Sequence, residues 1–343
     1  MSSHRPLSRR ALLAGLGALG ASAAARASAR TVALAKPETT PLEGYQFERI
    51  LDTPMHAVAL GPKGDVAAIG EATWLHRAGA KPHVFERLPD PKVPLAGVRV
   101  YLGRDHLPRL MGIERRPTAS GSDERFAIYR RFRKGTWIPA PKELGSLAEP
   151  DAGALEGILG DDDPEIVVKV GKQCLVKRRT GWTPLPPLAG PAAYAIAGGE
   201  GFAYCRGQLY RFGKKAVEPV GTRGAFDDAR ALTAGSPQAL WALSSEPSGP
   251  PELFAFDGSS WRFEACPVTH PHAIAANSSQ SLWVGGNEEL CHWNGTAWRH
   301  VDARAADGRP LLHVVDFATR GDGEVWIAAA SGLWRGVRTA TAP

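Results

Sequence analysis

The sequence predicts an all-β protein, a β-propeller of about seven four-stranded blades whose last blade is closed by the N-terminal strand. Three observations predict it. A hairpin recurs with tryptophan in a fixed phase, a second pair of short strands precedes most of these hairpins, and the C-terminal unit stops one strand short. The 43% apolar content over 343 residues supplies a large core. The 38 glycines and 28 prolines are spread along the chain, which favours many short elements and many turns.

The hairpin is clearest near the C-terminus. Residues 253–263 read Leu-Phe-Ala-Phe-Asp-Gly-Ser-Ser-Trp-Arg-Phe and residues 290–300 read Leu-Cys-His-Trp-Asn-Gly-Thr-Ala-Trp-Arg-His. Each is an alternating strand, an Asp-Gly or Asn-Gly turn whose residues tolerate positive φ, and a strand opening on Trp-Arg. Weaker copies end at Trp137 and Trp182, Leu209–Val217 replaces the tryptophan with valine, and Trp74–Val84 is a further copy. The preceding strands match as well: Ala239-Leu-Trp-Ala-Leu, Ser281-Leu-Trp-Val-Gly and Glu324-Val-Trp-Ile-Ala, each behind a short apolar strand. Tryptophans at such positions are expected to pack the core rather than to offer stacking platforms.

Seven units follow, starting near His56, Arg99, Glu156, Tyr194, Arg230, His272 and His313. The last ends at Trp334-Arg-Gly, after its third strand. Tyr45-Gln-Phe-Glu-Arg resembles Trp261-Arg-Phe-Glu-Ala, so residues 44–50 are expected to complete that blade, which removes two open sheet edges. A β-sandwich or a two-domain β protein is the competing architecture, and the phase of the repeat opposes it.

The first 29 residues read as an export signal. A basic start leads into the small, apolar run Ala11–Ala25, and Ala27-Ser-Ala matches a signal peptidase site. Arg9-Arg10 followed by Ala-Leu-Leu resembles a twin-arginine signal. Residues 30–43 are expected to be a flexible lead-in, 44–338 the propeller and 339–343 a tail. Localisation is expected to be periplasmic or secreted. Four of the six excess positive charges belong to leader arginines (Arg5, Arg9, Arg10 and Arg26), so the remaining balance does not argue for nucleic acid or stable membrane insertion. A monomer is expected. The basic runs at 130–134 and 177–179 read as solvated faces or turn flanks.

Val325-Trp-Ile-Ala-Ala-Ala-Ser-Gly-Leu-Trp-Arg resembles the repeat of the two-component-regulator-type propellers, x-Leu-Trp-Ile-Gly-Thr-x-x-Gly-Leu-x-Arg, and Ser281–Trp293 is a second match. The resemblance covers the last quarter of the chain. It implies a sensor or ligand-binding propeller and carries over no catalytic residue.

The first residues of innermost strands rim one mouth of a propeller's channel. His56, Arg99, Glu156, Tyr194, Arg230, His272 and His313 are therefore the candidate ligand-binding ring, with a hydrated, merely polar mouth as the plainer alternative. His56, His272 and His313 are candidate metal ligands, and a divalent metal is the one cofactor such a ring would suit. The arginines would instead draw carboxylate or phosphate. Asp161–Asp163 and Asp227-Asp228 match no calcium-loop spacing and read as turns. Cys174, Cys205, Cys266 and Cys291 fit no zinc spacing. Cys174 with Cys205, or Cys266 with Cys291, would join neighbouring blades if oxidised, and buried thiols are the alternative. No local hydrolase, kinase or dehydrogenase motif is present. The leading expectation is a non-catalytic module that binds a protein or small ligand. The alternative is a propeller lyase or hydrolase using the ring histidines with a metal, for which the streptogramin-lyase type is an analogy of fold alone.

Overall fold

The computed structural model describes residues 40–42, 44–61, 63–81, 84–90, 95–102, 106–119, 121–131, 136–139, 155–159, 167–170, 173–178, 181–184, 193–197, 200–212, 217–244 and 251–339. The proposed leader, most of the lead-in, the Asp161–Asp163 run and most of the 130–134 basic run lie outside them. Seven four-stranded antiparallel sheets follow one another along the chain, one of them carrying an extra parallel strand. We number them blades 1 to 7. Their innermost strands are Met55–Leu60, Leu95–Leu102, Leu155–Leu159, Ala193–Ala197, Ala229–Ser236, Ala273–Ser278 and Val314–Arg320. Innermost strands touch between blades 1 and 2 and in each successive pair from blade 3 to blade 7, and that of blade 7 touches that of blade 1.

The burial pattern explains the sequence pattern. Each blade packs both faces against its neighbours, so its second strand is a continuous apolar run rather than an alternating one. Ala239–Ser244, Ser281–Gly285 and Glu324–Ala329 are buried almost throughout. Innermost strands carry small residues such as Ala57, Ala195, Ala231 and Ala273, because the blades converge towards the axis. Outer strands such as Trp261–Glu264 are the most open.

The N-terminal strand Tyr45–Leu51 pairs antiparallel with Gly332–Arg338 and is the fourth strand of blade 7, with Tyr45 opposite Arg338 and Phe47 opposite Gly336. Tyr45 and Phe47 pack on the cluster between blades 6 and 7. The lead-in differs from expectation at its end. Thr40–Pro41 pairs in parallel with Arg299 and His300 of blade 6, and the Leu42 amide donates to the His300 carbonyl at 2.6 Å. The last blade-6 edge offered unpaired carbonyls, and the passing chain satisfies one of them.

The Asp-Gly and Asn-Gly hairpins also differ in detail. Only Gly258 and Gly295 adopt positive φ, at 96° and 92°. The preceding side chain does the remaining work: Asp257 Oδ1 accepts from the Ser259 and Ser260 amides, and Asn294 Oδ1 from those of Thr296 and Ala297. These bonds, chiefly that from the Ser260 amide, hold the Asp257 carboxyl down at about 2. A depressed pKa contributes stability that is present above the ordinary value of 3.8 and is lost as pH falls towards 2. Asp257→Asn is therefore expected to match the wild type's melting temperature at acid pH and to differ from it only above that window. Thermal melts of both proteins across the acid range check this, and an unchanged difference at all pH values would refute it.

Cys266 and Cys291 are thiols, so the bridge envisaged between them does not form. The Cys174 side chain, and with it the envisaged Cys174–Cys205 bridge, lies outside the described residues. Cys291 sits in the apolar cluster between blades 5 and 6, with Cys266 packed against it. No helix among the described residues is long and apolar enough to cross a membrane.

Candidate binding face at the channel mouth

Strand register defines the face. Innermost strands begin beside the ends of second strands: Met55 opposite Gly70, Ala229 opposite Ser244, Val314 opposite Ala329. The turns joining second to third strands therefore share a face with the candidate ring. In blade 2 the strands Pro108–Thr118 and Gly121–Arg131 are 11 residues each and continue pairing past the start of the innermost strand, as far as Thr118 opposite Gly121. A two-stranded arm thus projects from the same face. Its register sets Glu114 opposite Arg125, Arg115 opposite Glu124 and Arg116 opposite Asp123.

The ring residues do not share one structural position. His56, Glu156 and Arg230 are each the extra residue of a β-bulge at the start of the innermost strand. Blade 7 bulges at Val315, which is 42% exposed, so Val315 holds the place the sequence assigned to His313. His313 lies two residues earlier, at φ 51°, where the connection from blade 6 turns inward. His272 directly precedes Ala273. Tyr194 lies inside a regularly paired strand opposite Ala203 and stacks on Phe212 at 6.2 Å, packed between strands instead of standing at a bulge. The slip arises because blade 4 has no extra residue at this point, and a one-residue change of register exchanges faces. Arg99 is exposed and pairs with Met111, after an irregularity that begins at Ala96.

Two of the seven are brought together. His272 Nε2 lies 2.6 Å from Asn287 Oδ1, and His313 Nδ1 lies 2.9 Å from the same oxygen. With a carboxamide oxygen as acceptor, both ring nitrogens carry hydrogens. In the neutral rings the opposite nitrogens, His272 Nδ1 and His313 Nε2, hold lone pairs. Backbone bonds fix the trio. The His313 amide donates to the Asn287 carbonyl at 2.6 Å, the His272 amide to Gly285 at 2.8 Å, and the Val314 amide to Gly286 at 3.0 Å. Gly286 allows the close passage of the blade-5 connection, since a Cβ there would lie 2.6 Å from the His270 carbonyl oxygen. Glu289 ties the same connection down by accepting from the Thr269 amide and hydroxyl. Among the described residues, no three His, Cys, Asp or Glu side chains form a group able to hold a metal ion, so the proposed trio His56, His272 and His313 does not converge as one. Asp227 and Asp228 flank the start of blade 5, and the Asp228 carboxylate accepts from the Arg206 amide.

Asp316 was not among the sequence candidates. It occupies an innermost-strand pairing position that Ala57, Ala231 and Ala273 hold in other blades, so a carboxylate among alanines was the available signal. Its Oδ2 accepts from the Val58 amide across the seam between blades 7 and 1, at 3.1 Å, and its Oδ1 from the Phe317 amide at 2.9 Å. Desolvation raises its pKa to about 6, against the lowering effects of the Val58 amide, the Arg99 charge and the Phe317 amide. The residue retains partial surface, but it is crowding around the carboxyl that sets this cost. Between the ordinary 3.8 and about 6 the folded state holds more protons than the unfolded one. Stability from this group therefore falls as pH rises through that window. Asp316→Asn is expected to flatten that part of the profile. Denaturant midpoints across it measure the effect, and an unchanged slope in the variant would contradict the assignment.

No family model matches the chain, and no curated protein matches it. Solved structures do. The structure of YCF48 bound to D1 peptide aligns over 88% of this chain and 100% of that one, at 12% identity and a TM-score of 0.62. A streptogramin B lyase structure aligns over 85% and 97%, at 14% identity and 0.61. The WD40 β-propeller domain of Doa1 aligns over 87% and 100%, at 13% identity and 0.61. Identities this low speak for fold alone, and what they show is that this chain is a β-propeller.

Proposed function

We propose that the chain is an exported, non-catalytic β-propeller whose channel-mouth face binds a protein or small ligand. The observation that carries this reading is the pair of imidazoles held on one carboxamide oxygen, Asn287 Oδ1. Each ring spends one nitrogen on the protein and turns its other nitrogen over to hydrogen-bond donors of a partner. Such a fixed acceptor pair suits peptide N–H groups or ligand hydroxyls, and it is preorganised by backbone bonds. The arm of blade 2 projects from the same face and would flank a bound partner. A peptide-bound propeller among the structural likenesses supports the reading, as does the resemblance of the last quarter to sensor-type repeats. The streptogramin B lyase likeness supports the enzymatic alternative as fold analogy only.

Selection of displayed peptides on the immobilised secreted protein tests the proposal. Enriched peptides are expected to bind about tenfold more weakly to the His272→Ala, His313→Ala double variant. Equal binding to that variant would place recognition elsewhere and refute the reading. Metal retained by the purified protein and lost in the same variant would favour the enzyme instead. Export is tested separately: Arg9→Lys with Arg10→Lys is expected to retain the unprocessed chain in the cytoplasm. Normal processing and export of that variant would remove the twin-arginine route.

A further inference from the structure

The opposite face of the ring carries a second polar cluster, built from the turns that join innermost to second strands in blades 7, 1 and 2 and from the segment after the third strand of blade 1. Its centre is Asp65, whose side chain is 7% exposed. Asp65 Oδ1 accepts from the Ala78 amide at 3.0 Å, and Oδ2 lies 2.7 Å from His106 Nδ1. The carboxylate is thereby used up within the protein, and it fixes the His106 ring with Nδ1 inward. His106 stays partly open, at 23% of its side chain, and its backbone sits at φ 59°, uncommon for a residue other than glycine.

Cations gather about this pair. Arg77 Nη1 donates to the His106 carbonyl at 3.1 Å. Arg320, at the end of the innermost strand of blade 7, lays its guanidinium against Gly64, so closely that a Cβ on Gly64 would collide with Nη1. Gly64 has φ 96° and sits next to Lys63 in the turn that leads into Asp65. Lys63, Arg77 and Arg320 are exposed. The cluster therefore sets the Arg77 and Arg320 guanidiniums and an oriented imidazole against the turns that one already bonded carboxylate ties together, with Lys63 exposed in the same turn as Gly64. A buried carboxylate that merely tied two turns together would not require cations from two neighbouring blades, 1 and 7.

We propose that this cluster is an oxyanion site, binding the phosphate or carboxylate group of a small ligand. Lys63, Arg77 and Arg320 supply charge and N–H donors, and His106, held by Asp65, contributes its outward nitrogen. That nitrogen can accept from the hydroxyl of a protonated phosphate or donate when the ring is charged. The site is independent of the channel-mouth face and does not rest on the function proposed for it.

Inorganic phosphate and acetate are the probes, added to the whole secreted protein at constant ionic strength while the His106 ring signals are followed by NMR. A saturable shift with phosphate at about millimolar concentration is expected, and a matching shift with acetate would widen the site to carboxylates. Arg77→Gln and Arg320→Gln, both on exposed side chains, are each expected to weaken the phosphate response about fivefold or more. Thermal melts confirm that these variants stay folded. His106 signals that ignore both anions would overturn the proposal, as would titrations unchanged in both arginine variants.

Discussion

Gly332→Ala is expected to unfasten the ring, lowering the stability of the folded chain by about 4 kcal/mol or more. Gly332 starts the third strand of blade 7 at φ 128°, a conformation that L side chains rarely adopt. A Cβ there would run into the backbone oxygen of Leu51, the last residue of the closing strand, and would meet Arg49 Cδ at 3.3 Å. Backbone cannot swing aside as a flexible side chain can. The closing strand would have to shift, and with it the Tyr45 and Phe47 rings that cover the blade 6–7 core. Gly308→Ala is the control. Gly308 also has positive φ, 80°, but nothing lies near its missing Cβ, so only the conformational cost of about 1 kcal/mol applies. Urea unfolding of both variants measures the difference. Equal losses in the two would show that closure by Tyr45–Leu51 contributes little to the stability of the ring.

That closure was legible because the strands of a blade share a pattern. Tyr45-Gln-Phe-Glu-Arg could be matched to Trp261-Arg-Phe-Glu-Ala although the two lie in different blades and at opposite ends of the chain. Blade count and strand order follow from the same local signals, alternation and turn residues, which act within a few positions. The candidate site was less legible for a physical reason. A bulge adds one residue without changing composition, so His313 and Val315 exchange places in an alignment that counts positions. Asn287, the acceptor that joins His272 to His313, lies in a turn where asparagine is ordinary. Only the fold brings the connection before blade 7 back over that turn. Asp316 was visible as a charge among alanines, yet its partner Val58 lies 258 positions away, and no local pattern encodes that contact.

The tryptophans test the other half of the argument, that the repeat encodes packing between blades. Trp283→Ala is expected to cost about 3–5 kcal/mol, the range for deleting a large aromatic from a core that cannot collapse. Trp283 is 0% exposed. It meets Tyr45 edge-on at 5.4 Å, Phe47 at 6.1 Å and His292 at 4.4 Å. One side chain therefore couples blade 6 to the closing strand of blade 7. Among the described residues its indole N–H meets no acceptor, an arrangement that itself costs about 1–3 kcal/mol. Trp283→Phe removes that N–H together with part of the ring, so the gain offsets much of the lost packing and the net change should be small. Trp293→Ala is the comparison within the same blade: Trp293 is only partly buried and pairs with Trp298 at 5.5 Å. The expected order of stability is wild type close to Trp283→Phe, then Trp293→Ala, then Trp283→Ala, read from denaturant midpoints. A ligand-stacking role would reverse the emphasis. Trp283→Ala would then leave the midpoint near that of the wild type, and the assignment of the repeated tryptophans to the spaces between blades would fail.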